Sequence, residues 1–179
     1  MGAGRTRVRK LALLLRAVNV GGRQLAMADF RKLLEAEGFG AVETLLASGN
    51  AVVATEDDAE AVERRVAAAL AQKLKLPTEV FARDLAELQA VIAGNPFAEF
   101  AEAQPSRMVV VFLKADPPED LSPLTRWATQ GEAVAPGPRC LYITYPQGQG
   151  RSKLAQARGG PTGTARNWNT VTKLAERLA

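Results

Sequence analysis

The apolar positions of the chain open with a two-sided strand. From Lys10 to Val20, Leu11, Leu13 and Leu15 alternate onto one face while Leu14 falls on the other, a pattern that suits a central strand buried on both sides. Arg16 and Asn19 come at its end, and Gly21-Gly22 breaks it. Between Met27 and Gly38 the spacing changes to that of a helix, with Phe30, Leu33 and Leu34 on one face and Gly38 as its stop. Ala41 to Leu46 and Ala51 to Thr55 read as two short strands joined through Ser48-Gly49-Asn50, residues that tolerate the left-handed conformation a hairpin needs. A second helix starts at Asp57 or Asp58 and carries the stripe Val62, Val66, Leu70 and Leu74. Thr78 to Ala82 follows as a fourth strand. The order is βαββαβ, that of a ferredoxin-like unit.

In the second half, Asp84-Leu85-Ala86-Glu87 is a capping box that predicts a helix ending near Gly94. Asn95-Pro96-Phe97 terminates it, and residues 98–106 read as a loop or a short helical turn. Met108 to Lys114 is an apolar strand. Ser122-Pro123 launches a short helix through Trp127. Glu132 to Ala135 and Cys140 to Tyr145 form a hairpin around Pro136-Gly137-Pro138, Lys153 to Arg158 a short helix, and Asn167 to Leu178 the last helix. No sequence repeat links the halves. The expected fold is α+β: a ferredoxin-like half over residues 9–84 and a second, rearranged ferredoxin-like half over 85–179, packed as one compact body.

Composition narrows the chemistry. There is no histidine and one cysteine, Cys140. That excludes a catalytic Ser-His or Cys-His pair, a histidine metal site and an internal disulfide; a Mg²⁺ site built from carboxylates stays open, though no cofactor and no metal are expected. No apolar run approaches the roughly 20 residues of a membrane span, and a cytoplasmic protein is expected. Of the 23 basic residues, Arg5, Arg7, Arg9 and Lys10 lie in the first ten positions without an acid. Residues 107–179 carry 10 basic and 5 acidic groups, and from Ala133 to Ala175 there is no carboxylate side chain. The C-terminal half therefore holds the charge excess relevant to an anionic partner.

The densest polar cluster is Thr164-Ala165-Arg166-Asn167-Trp168-Asn169-Thr170, after a glycine-rich, basic run from Gly148 to Gly163. If it opens the last helix, Trp168, Val171, Thr172, Ala175 and Leu178 share a core face, and Arg166, Asn169, Thr170 and Lys173 the opposite one. A glycine-rich loop before a helix start can hold an anion, and a guanidinium suits phosphate; equally, the same polar groups can cap the helix. No phosphate-loop or dinucleotide glycine pattern is present. Ser48-Gly49-Asn50 reads as a hairpin and not a nucleophile turn, Ser152-Lys153 as a surface loop, and Cys140 as a structural thiol. The RNP1 pattern of an RNA-recognition sheet is missing.

Several spaced motifs carry a family resemblance: Leu15-Arg16-Ala17-Val18-Asn19-Val20-Gly21-Gly22, Met27, Gly38-Phe39, Ser48-Gly49-Asn50, Asn95-Pro96-Phe97 and Arg166-Asn167-Trp168-Asn169-Thr170. In this order they resemble the bacterial family called domain of unknown function 1697, from about Leu11 to Leu178. The family usually has Gly where Ala17 stands, and often an aromatic residue and Gln in place of Leu46 and Ala47. The resemblance implies an α+β, ferredoxin-like fold with some duplication. It supplies no activity and no catalytic residues, because the family's function is uncharacterised.

The resulting expectation is a small binding protein for an anionic ligand, a phosphate-bearing small molecule or nucleic acid, with Arg16, Asn19, Lys153, Arg166, Asn167 and Asn169 as candidate contacts. Two other classes stand beside it: a structural or protein-interaction module whose polar groups only cap helices, and a histidine-independent enzyme. Open, convergent guanidinium groups favour the first and buried, bonded ones the second.

Overall fold

The structure, a computed structural model, describes residues 7–19 and 24–179. The reading of Gly21-Gly22 as a strand break, and Arg5 of the basic N-terminal cluster, lie outside the described residues. The chain divides into two units, one of residues 1–87 with 176–179 and one of residues 88–175. Each contains a four-stranded antiparallel sheet, so the α+β class holds.

The first unit is built from β1 (Arg9–Leu15), α1 (Met27–Ala36), β2 (Gly40–Leu45), β3 (Asn50–Thr55), α2 (Ala59–Lys73) and β4 (Val80–Arg83). Its sheet runs in the order β2-β3-β1-β4. Leu11, Leu13 and Leu15 from β1 bury with Ala51, Val53, Val80 and Ala82 against Phe30 and Leu34 of α1 and Val62, Val66 and Leu70 of α2. Burying each of the larger side chains contributes about 1.5–3 kcal/mol. The opposite residues of β1, Ala12 and Leu14, are also fully buried, so the two-sided apolar pattern reflects a central strand. β1 is shorter than its expected span to Val20: Ala17 and Asn19 take left-handed φ angles of 52° and 57°, which end the extended run. Asp58 caps α2, its side chain accepting the Ala61 N–H at 2.8 Å.

α3 (Leu85–Ala93) starts as the capping box requires: the Glu87 N–H donates to Asp84 Oδ1 at 2.8 Å, and the Asp84 N–H donates to Glu87 Oε2 at 2.9 Å. After α4 (Ala98–Ala103), the second sheet is assembled from β5 (Met108–Leu113), β6 (Ala133–Gly137), β7 (Cys140–Thr144) and β8 (Gly163–Asn167), with α5 (Ser122–Thr125) after β5 and α6 (Trp168–Leu178) after β8. Pro136 and Gly137 belong to β6, an edge strand where a missing N–H is tolerated; the turn itself is Pro138-Arg139.

β8 corrects the sequence reading most. The sequence reading has the cluster Thr164–Thr170 opening a last helix of Asn167 to Leu178, yet residues 163–167 pair with β5, Val110 opposite Arg166 and Leu113 opposite Gly163. The polar composition hid the strand, because its stability comes from ladder pairing and not from its own side chains. Gly163 is required there: a Cβ would stand 2.4 Å from the Phe112 carbonyl oxygen.

With β8 included, the second sheet runs β6-β7-β5-β8, the same order and directions as β2-β3-β1-β4. Its strand order is therefore not rearranged. What differs is the connections. The ten-residue α1 corresponds to the four-residue α5, and the fifteen-residue α2 to two short 3₁₀ turns, Gln149–Arg151 and Leu154–Gln156. A short sequence repeat also becomes visible: Ala82-Arg83-Asp84 ends β4 and Ala165-Arg166-Asn167 ends β8.

Candidate functional site

The reduced connections of the second unit leave its sheet covered by loops, and these loops form clefts. Pro123 and the Ser122 N–H, which donates to Asp120 Oδ1 at 2.9 Å, set the start of α5. The turn continues past the helix, with Trp127 N–H donating to the Leu124 carbonyl at 2.9 Å. This leaves Trp127 at the surface, 38% exposed. The Arg126 guanidinium carbon lies 5.4 Å from the indole centroid, a cation–π contact.

Across the cleft, the chain alternates between anchors and exposed residues. Ser152 is buried, its hydroxyl donating to Glu132 Oε1 at 2.6 Å, and Leu154 is buried in the core of Val109, Leu113, Leu141, Ile143 and Tyr145. Lys153 between them is exposed. Burial pushes the Glu132 carboxyl up, but hydrogen bonds from the Ser152 hydroxyl and backbone N–H groups outweigh it and hold the group below its usual range. Glu132 is therefore ionised at neutral pH and fixes the segment that presents Lys153.

Arg126, Trp127, Lys153, Gln156, Ala157 and Arg158 line a cleft of about 480 Å³. Three cations and an indole surround it, without a carboxylate in the lining. A second cleft, of about 350 Å³, is lined by Leu121, Pro123, Leu124, Gly159, Gly160 and Pro161, with Asp120 and Pro118. Both volumes lie within the range of small-molecule sites.

The other sequence candidates are placed differently. Arg16 is an exposed partner of Glu79 at 3.4 Å. Asn19 is a clamp: its Oδ1 accepts the Leu25 N–H at 2.8 Å, and its Nδ2 donates to the carbonyls of Leu25 and Ala47. Arg166 is 6% exposed, its Nη1 donating to Thr164 Oγ1 at 2.7 Å and to the Ala165 carbonyl at 2.8 Å. Burial lowers its pKa to about 10, which leaves it charged at neutral pH. Asn167 is the cap of α6, its Oδ1 accepting the Thr170 N–H at 3.0 Å. Asn169 is exposed on the first turn of α6, and Trp168, expected in the core, is only partly buried. The expected grouping of Arg166, Asn167 and Asn169 on a helix thus separates into a strand arginine, a cap and a surface residue. Of the sequence candidates, Lys153 alone lines the basic cleft.

Sequence reasoning missed Arg126, Trp127 and Arg158. The carboxylate-free run from Ala133 to Ala175 pointed to one wall; Trp127 was read only as a helix end. Among the described residues no group of three or more His, Cys, Asp or Glu could hold a metal ion, and no helix is long and apolar enough to cross a membrane.

No curated protein matches the sequence. Among solved structures, the chain is similar to a conserved bacterial protein, SP0830 from Streptococcus pneumoniae, with 19% identity, a TM-score of 0.66, and coverage of 97% of this chain and 100% of that one. At that identity the likeness concerns the fold. A family model, described as protein of unknown function (DUF1697), matches residues 8–142, which includes Arg126 and Trp127 and ends before β8. The chain belongs to this family, protein of unknown function DUF1697.

Proposed function

We propose that the protein binds a phosphate-bearing small molecule in the cleft of Arg126, Trp127, Lys153 and Arg158. The observation that carries this reading is that three basic residues and a partly exposed indole line one cleft whose described lining holds no acid. Cations in a shared concavity reinforce each other's attraction for an anion. Arginine adds a planar fork matched to phosphate, and lysine a point charge that follows it. Arg166, Asn167 and Asn19 then act as scaffold, consistent with their hydrogen bonds. In this reading each unit has a ferredoxin-like strand arrangement, the second with 3₁₀ turns in place of the second helix, supported by the repeated strand order. The role proposed is that of a binder acting in the cytoplasm; the absence of histidine removes only the histidine-dependent catalytic arrangements.

Isothermal titration of tripolyphosphate at low salt tests the reading. The wild-type protein is expected to bind, and the Lys153→Ala/Arg158→Ala double variant to bind at least about tenfold more weakly, each lost cation costing on the order of 1 kcal/mol. Because both residues are exposed, the variant is expected to fold with stability within about 0.5 kcal/mol of wild type. Equal binding by both proteins, or no binding by either, contradicts the proposal.

A further inference from the structure

The basic cleft and the apolar cleft are made by the same two stretches of chain. Residues 118–124 line the apolar cleft and Arg126-Trp127 the basic one; Lys153 to Arg158 line the basic cleft and Gly159-Gly160-Pro161 the apolar one. Arg158 and Gly159, consecutive in sequence, face one cleft each. A ligand that uses both needs a charged end beside an apolar, roughly ring-sized body. We infer that the ligand is a free nucleoside phosphate, its phosphates held by Arg126, Lys153 and Arg158 and its nucleoside seated against Leu121, Leu124 and Pro161. This rests on the anion-site reading given above.

Three features favour a nucleoside over a simple aliphatic anion. Asp120 lines the apolar cleft. Its carboxyl is held low by hydrogen bonds from the Ser122 hydroxyl and N–H, so it is ionised at neutral pH and keeps lone pairs for further donors. Ribose hydroxyls and base N–H groups are such donors, and a carboxylate on a ribose hydroxyl is a recurrent arrangement. Next, the apolar walls are proline, leucine and glycine. At Gly159 nothing stands within 4 Å of where a Cβ would be, which leaves the backbone open to close approach by a flat ring. Finally, the 350 Å³ of this cleft matches a base better than a long acyl chain.

Gly160 gives a handle on the nucleoside half alone. A Cβ at this position would stand 2.5 Å from Leu124 Cδ2 and 2.8 Å from Leu124 Cγ, so an alanine must displace the Leu124 side chain. The charges of the basic cleft are untouched by that change.

The experiment compares ATP, tripolyphosphate and a short oligothymidylate by isothermal titration, on wild type and on Gly160→Ala, without added divalent cations. The expected result is that ATP binds wild type about tenfold or more tightly than tripolyphosphate, the gain expected from burying the nucleoside's apolar surface against leucine and proline. In Gly160→Ala, confirmed as folded by thermal melting, that ratio is expected to shrink toward one. Equal affinity of wild type for ATP and tripolyphosphate overturns the nucleoside inference while leaving the anion site standing. Binding of the oligonucleotide tenfold more tightly than ATP also overturns it, in favour of a nucleic acid. Binding of none of the three overturns the anion-site reading itself. The wild-type comparison is decisive whether or not the alanine variant folds.

Discussion

Arg83 and Arg166 occupy the same register position in the two sheets. Arg83 on β4 pairs with Ala12, which itself pairs with Val52, the third residue of β3. Arg166 on β8 pairs with Val110, which pairs with Tyr142, the third residue of β7. Both are buried, at 2% and 6% exposure. Each donates through Nη1 to the carbonyl of the alanine before it, at 2.9 and 2.8 Å. Each is followed by a residue, Asp84 or Asn167, that caps the next helix. We read a position so repeated as part of the architecture of the unit.

Replacing either arginine by alanine is therefore expected to destabilise the fold, by about 1–3 kcal/mol, as buried acceptors lose a charged donor. Urea unfolding would show a lower midpoint for both Arg83→Ala and Arg166→Ala. Under conditions where the variants are folded, Arg166→Ala keeps its affinity for tripolyphosphate. A lysine is not expected to rescue either position, since it lacks the planar fork. An Arg166→Ala protein of unchanged stability would restore Arg166 to the ligand-binding class.

The caps make a second matched pair. Asp84→Ala and Asn167→Ala each remove an acceptor for an N–H in the first turn of α3 or α6. Each is expected to cost about 1 kcal/mol, read as a fall in the thermal midpoint. Glycine at either site should cost only a few tenths. A neutral Asn167→Ala would contradict the assignment of Asn167 as a cap.

Much of the first unit was legible because its elements declare themselves locally. The β1 alternation, the Val62-Val66-Leu70-Leu74 stripe (its last member the exposed C-cap of α2), the hairpin at Ser48-Gly49-Asn50 and the Asp84–Glu87 box are all short-range signals, and each corresponds to an element in the structure. β8 was illegible because only Thr164 within Gly163–Asn167 favours a strand; its partner β5 lies about fifty residues earlier in the chain. Missing that strand hid the parallel between the units, and with it the Ala-Arg-Asx repeat. It also led Arg166 to be grouped with the helix residues that follow. Lys153 was legible as a charge, but the cleft it lines needs Arg126 and Trp127, which only the β5–β6 connection brings opposite it.

Glu37 provides a pH-dependent test of the first unit. Its carboxylate accepts from Lys73 Nζ at 2.6 Å and lies 3.7 Å from Arg65 Nε. The Lys73 hydrogen bond holds its pKa below the ordinary value of 4.5, against the opposing effect of burial and with help from the charges of Lys73 and Arg65. A depressed carboxyl binds its proton more readily in the unfolded chain. Its stabilisation is therefore fully present above that ordinary value of 4.5, which the unfolded chain keeps, and is lost as pH falls through the lower folded value. Glu37→Gln is expected to be less stable than wild type at pH 7, by up to about 1 kcal/mol for a solvent-reachable pair. The gap should close in acid. A difference that is constant from pH 7 into acid would show that the ion pairs are not its source.

The two tryptophans of the chain, Trp127 and Trp168, separate the basic cleft from the Arg166–Thr170 segment directly. Their indole N–H resonances, assigned with a Trp168→Phe variant, can be followed by ¹⁵N–¹H NMR as tripolyphosphate is added. The cleft of Arg126, Lys153 and Arg158 predicts that the Trp127 signal moves saturably while the Trp168 signal stays in place. Movement of the Trp168 signal with Trp127 fixed would return the site to the start of α6 and contradict the account.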